Sequence, residues 1–221
     1  MPPSTPETEG RTLIIACGAL VRELRSVIDA AGSASAAQVD VRYLPAPLHN
    51  RPEQIPGAIL ELLEATLEPM HSRVLLGYGD CGTGGLLDAE LALLRAEGLV
   101  IERLPGNHCY EFLAGAASFR ELHDDELGTF FVTDYLARHF ETLVWQTFRF
   151  DEHPELIPMV FANYTRLVYL SQTSNQSVRA ELQAEARRAA TRLGLSFETN
   201  HTGLEPFNEA VVRLIQRVPV S

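Results

Sequence analysis

Short apolar runs, each followed by a stretch with helical spacing, set the strongest constraint on what this chain can fold into. RTLIIAC (11–17), VDVRYL (39–44), SRVLLGY (72–78), LVIERL (99–104), GTFFVTD (128–134) and RLVYLSQT (166–173) each read as a strand, and LSFET (195–199) as a shorter one. Helices are expected at 18–31, where Leu20, Leu24, Val27 and Ile28 share a face, and at 52–68 and 86–97. Further helices are expected at 135–148, 151–164, 177–193 and 205–217, and PGNHCYEF opens a short one. Strands alternating with helices imply a mainly parallel sheet covered by helices on both faces. The expectation is therefore an α/β fold, a single three-layer domain over 11–221. Residues 1–10, polar and proline-rich, are expected to form a disordered lead.

The chain has 221 residues, enough to bury a sizeable core. Its formal net charge of −11 argues against nucleic acid and anionic membrane surfaces as partners. No run reaches the roughly 20 apolar residues of a membrane-crossing helix. A cytoplasmic location is expected, where cysteines stay reduced. All 18 basic residues are arginines, so Schiff-base chemistry and a P-loop lysine are excluded. A small polar or anionic substrate would have to be held by Arg, backbone N–H groups or helix ends. A homodimer is compatible with this composition.

Cys17, Cys81 and Cys109 each follow a strand run. In an open parallel sheet the carboxyl ends of the strands form the ligand-binding edge. The three cysteines are thus expected to converge as metal ligands, for zinc or an iron–sulfur cluster, with one coordination position open. A free cysteine is often only a small buried hydrophobe. Here Gly18 and Gly82 follow Cys17 and Cys81 where the chain turns toward a helix, whose N-terminus would favour a thiolate. His108 beside Cys109, and His49 in PLHNRPE, are the expected proton-transfer residues. Asp80 and Glu111 are expected as their support. The reaction expected is a lyase or hydrolase step on a small molecule.

GYGDCGTGG offers a competing reading. Gly77, Gly79 and Gly82 match GxGxxG, and Glu102 ends the next strand where a ribose-binding acid would sit. Gly79, Gly82, Thr83 and Gly84 would then cradle a cofactor. Asp80 argues against this, since its charge would repel a pyrophosphate. Asp134 and His139 lie near another strand end, as caps or surface groups. Asn163, Tyr164 and Arg166 precede their strand and fall on the opposite edge unless it runs antiparallel.

The segments IIACGAL, LPAPLHNRPE, LLGYGDCGTGGL, RLPGNHCYEF, GTFFVTDYLARHF and NYTRLVYLSQT together resemble a family of bacterial and archaeal proteins, the domain of unknown function 1638. The resemblance carries no defined reaction. It implies an association with corrinoid-dependent methyl transfer, and hence an alternative role as a non-catalytic accessory or metal-binding partner of such a system. The arrangement is also similar to that of quinolinate synthase, whose strand-exit cysteines hold a cluster with an open iron. That similarity is one of architecture alone.

Overall fold

The computed structural model describes residues 10–216, and the expected disordered lead lies outside them except for Gly10. The described residues fall into two compact units, 10–104 with 214–216, and 105–213. The first holds β1 (Arg11–Cys17), α1 (Val21–Ala30), α2 (Ser33–Ala36), β2 (Val39–Leu44), α3 (Ile55–Thr66), β3 (His71–Gly77), α4 (Leu86–Ala96) and β4 (Ile101–Arg103). The second begins with α5 (Cys109–Ala114), α6 (Ala116–Asp125), β5 (Thr129–Thr133), α7 (Asp134–Phe140) and α8 (Ile157–Val160). It continues with β6 (Arg166–Ser171), α9 (Gln176–Leu193), β7 (Ser196–His201) and, as far as Arg213, α10 (Glu205–Gln216).

The α/β class and the parallel strand direction are as expected. The strands are divided between two sheets, ordered β2-β1-β3-β4 and β5-β6-β7, and every pair is parallel. β1 and β6 are central, and both read as near-continuous apolar runs because both of their faces are covered. Leu13, Ile15 and Ala16 are fully buried in β1, as are Leu167, Tyr169 and Leu170 in β6. In the second unit Val132, Leu167 and Tyr169 pack with Ala137 of α7 and Leu182, Ala186 and Ala189 of α9. Phe131, Val168 and Leu170 alternate with these along the strands and pack with Ala114 of α5, Phe119 and Leu122 of α6. The period-two alternation thus sends successive side chains into two helical layers.

Two helix expectations change. The segment 151–164 forms only a 3-10 turn at Pro154–Leu156 and the short α8, because Pro154 and Pro158 supply no backbone donors. The helix expected over 135–148 passes at Glu141–Trp145 into a π-helical turn, just after a non-helical backbone at His139. No described helix is long and apolar enough to cross a membrane.

Candidate functional site

In the first sheet, β2 and β3 lie on opposite sides of β1, so the direction of winding reverses between β1 and β3. The crevice at the carboxyl ends of two such strands is where open α/β sheets bind ligands. Cys17 is the last residue of β1, and Ala16 pairs in register with Gly77, the last residue of β3. Tyr78 and Cys81 follow directly, so three chemistry-bearing side chains flank this switch point. The connection after β2 adds a fourth, His49, from a 3-10 turn at Ala46–Asn50.

Cys17 is 3% exposed. Its sulfur accepts the backbone N–H of Ala19 at 3.3 Å and stands 3.6 Å from Nδ1 of His49. That same Nδ1 is 3.2 Å from the carbonyl oxygen of Ala46. A carbonyl only accepts, so Nδ1 carries the proton, and in the neutral ring Nε2 would keep the lone pair. The ring of His49 stacks on Tyr78, with centroids 6.3 Å apart and planes 14° apart. Cys81 is buried as well, and lies near enough to Cys17 for a charge on one sulfur to act on the other.

The thiolate expected at Cys17 is corrected by the structure. Burial pushes its thiol up to about 12, and the Ala19 N–H and the Tyr78 hydroxyl offset only part of this. The turn that follows is a three-residue 3-10 segment that runs into α1, and the one N–H it gives the sulfur, from Ala19, does not outweigh burial. Cys17 is therefore a thiol at neutral pH until something displaces its proton.

The glycine-rich loop is organised by Asp80. Its carboxylate accepts the Thr83 hydroxyl at 2.6 Å and the N–H groups of Gly84 at 3.0 Å and Gly85 at 2.9 Å. Burial works against the charged form, but these three donors outweigh it and hold the carboxyl below the usual carboxylate range. The donors that a phosphate would need at Gly84 and Gly85 already bind an anion of the chain itself. The nucleotide reading built on Gly79, Gly82, Thr83 and Gly84 thus draws no support from the loop geometry. Asp80 shapes the loop, its carboxylate being engaged by Thr83, Gly84 and Gly85. Cys81, next to it, has φ +53°, a left-handed conformation that costs a side chain about 1–2 kcal/mol.

His108, Cys109 and Glu111 lie in the second unit. His108 is the N-cap residue of α5 and Cys109 its first residue. Glu111 was expected to orient His108. Its carboxylate instead accepts the backbone N–H of Asn107 at 2.6 Å, closing the turn that leads into the helix. Gly106 has φ +100°, and a Cβ there would stand 2.8 Å from Oε2 of Glu111. Among the described residues, no three Cys, His, Asp or Glu side chains are set to hold one metal ion.

At the carboxyl edge of the second sheet Asp134 is 4% exposed, which removes the surface reading. Its carboxylate accepts the Tyr169 hydroxyl at 2.6 Å and the N–H groups of Gln172 and Thr173 at 3.2 and 2.8 Å. Its own N–H donates to Gln172 Oε1 at 3.0 Å. This closed network ties the end of β5 to that of β6. Because β6 is parallel, Arg166 falls on the opposite edge, where it is 6% exposed and pairs with Asp125 and Glu198.

Sequence reasoning passed over Tyr78, the largest side chain of the first cluster. It is 1% exposed, and its hydroxyl has no nitrogen or oxygen partner among the described residues. An aromatic between two glycines at a strand exit was the available signal.

The fold and its first edge define an α/β protein with two thiols and an imidazole at a topological switch point. The chain belongs to a family of proteins of unknown function, DUF1638, whose model matches residues 43–211. The match takes in His49, Cys81 and Cys109, and Cys17 precedes it. No curated protein and no solved structure matches the chain.

Proposed function

We propose that the chain is a metal-dependent enzyme of lyase or hydrolase type that acts on a small polar or anionic molecule. Cys17 and Cys81, at the carboxyl edge of the first sheet, would be two of the metal's ligands. The observation that carries this reading is the surplus of hydrogen-bond donors around the Cys17 sulfur. Ala19 N–H and His49 Nδ1 both face it, at 3.3 and 3.6 Å. A neutral thiol is a weak acceptor, whereas a metal-bound thiolate is a strong one and is commonly held by such donors. A bound metal centre, zinc or an iron–sulfur cluster, would supply Lewis acidity at this edge. His49 is the proton-transfer residue. Its Nδ1–H is fixed by Ala46 and Cys17, which leaves Nε2 as the base.

Elemental analysis of the full chain, purified without oxygen, tests the proposal. The expected result is about one metal per chain, lost on Cys17→Ala or Cys81→Ala. His49→Ala is expected to keep the metal and abolish metal-dependent turnover. Metal below about a tenth of an equivalent in the unaltered chain, with Cys81 freely alkylated, overturns the reading.

A further inference from the structure

Cys17 ends β1, and Tyr78 stands beside it in the row beyond the Ala16–Gly77 pair of β1 and β3. Cys81 follows three residues later, where the backbone bends back through φ +53°. Two strand exits, adjacent in one sheet, thus bring both sulfurs to one place. Each lies close enough for its charge to act on the other and on the Tyr78 hydroxyl. A disulfide needs only two such sulfurs and no further ligand.

The settings of the two thiols differ. Cys17 is 3% exposed, and its sulfur is held by the Ala19 N–H and the Tyr78 hydroxyl. Cys81 is 9% exposed, and the Arg103 guanidinium at the end of β4 lies near enough for its charge to act on that sulfur. The thiol that is more open and in positive surroundings is the one an oxidant meets first. Glycine would adopt the left-handed backbone of Cys81 without strain, and strain of this kind concentrates at functional positions.

We infer that Cys17 and Cys81 form a dithiol redox site, in which a hydroperoxide oxidises Cys81 and Cys17 closes a disulfide onto it. In the first step the Cys81 sulfur takes the terminal oxygen of the hydroperoxide as the O–O bond breaks. The products are a sulfenic acid and water or an alcohol. In the second step the Cys17 sulfur attacks the Cys81 sulfur and the S–O bond breaks. The hydroxyl leaves as water with the Cys17 proton. The peroxide is thus reduced by two electrons, one from each sulfur. The pairing does not depend on a bound metal.

The test treats the folded full chain, with EDTA present, with about one equivalent of hydrogen peroxide, followed by alkylation in denaturant. Free thiols are expected to fall from three to one, and the unalkylated mass by about 2 Da, with a peptide joining Cys17 to Cys81. Dithiothreitol is expected to restore all three thiols. In Cys17→Ser the Cys81 sulfenic acid persists and is trapped by dimedone. In Cys81→Ser no bridge forms and Cys17 stays a thiol, whereas Cys109→Ser keeps the bridge. Three free thiols after treatment overturn the inference, as does a bridge that includes Cys109. Cys81 carried on to a sulfinic acid in the unaltered chain overturns it too, because Cys17 then does not reach it.

Discussion

His49 Nδ1 stands 3.6 Å from the sulfur of Cys17, although the two residues are 32 positions apart. The contact exists because β2 lies beside β1 in parallel register, with Cys17 opposite Leu44, and the chain then turns back at Pro45–Asn50. Local contacts to Ala46 and Ala19 orient the two side chains, but only the pairing of β1 with β2 brings them together. The sulfur is buried, the imidazole supplies a donor to it, and the pair sits where the winding of the sheet reverses.

Burial of Cys17 has a consequence at alkaline pH. Its thiol is pushed up to about 12, whereas an unfolded thiol titrates near ~8.5. Between those values the folded metal-free chain holds a proton that the unfolded chain has released. Stability from this group is thus complete below about pH 8.5 and falls as pH rises, by at most ~1.4 kcal/mol per pH unit. Denaturant melts of the metal-free chain from pH 8 to 10.5 are expected to show this slope, and Cys17→Ala to flatten it. Identical slopes in both chains would rule the effect out.

Asp80 holds its loop through three hydrogen bonds to Thr83, Gly84 and Gly85. Asp80→Ala leaves those donors without their carboxylate and is expected to cost about 1–3 kcal/mol in urea unfolding. Asp80→Asn, which keeps one acceptor oxygen, should fall between the two. Phosphate or a nucleotide should not stabilise the unaltered chain in a thermal melt, since the carboxylate already occupies the cradle.

The left-handed backbone at Cys81, φ +53°, separates its structural and chemical roles. Glycine adopts that conformation without strain, so Cys81→Gly is expected to be more stable than Cys81→Ala by about 1 kcal/mol. Both substitutions should abolish metal binding. A retained metal in either would show that this sulfur is not a ligand.

In the second unit, Asp134→Ala would strand the Tyr169 hydroxyl and the N–H groups of Gln172 and Thr173. The expected loss is about 2–4 kcal/mol in denaturant unfolding, because the freed groups are buried. Tyr169→Phe alone should cost about 1 kcal/mol. Metal uptake should be unchanged in any Asp134 variant that remains folded.

The strand–helix alternation is legible in the residues alone, because a covered parallel strand must be apolar along its length and a helix on one stripe. RTLIIAC and RLVYLSQT were therefore legible as β1 and β6. The sequence also placed Cys17, Cys81 and His49 at strand exits, since motif and strand end coincide there. The prolines at 154 and 158 are equally plain in the sequence, and each starts a short helical turn in place of one long helix.

What only the tertiary structure decided is strand order and environment. No local pattern states that β3 and not β2 follows β1 across the switch point, or that the seven strands of the described residues divide into sheets of four and three. The burial that keeps Cys17 a thiol and the enclosure of Tyr78 beside a sulfur both come from contacts between segments far apart in the chain. Sequence spacing fixes which face of an element a side chain occupies, but the partner that face meets is set by packing. The partner in turn decides whether a cysteine, an aspartate or a tyrosine serves structure or chemistry.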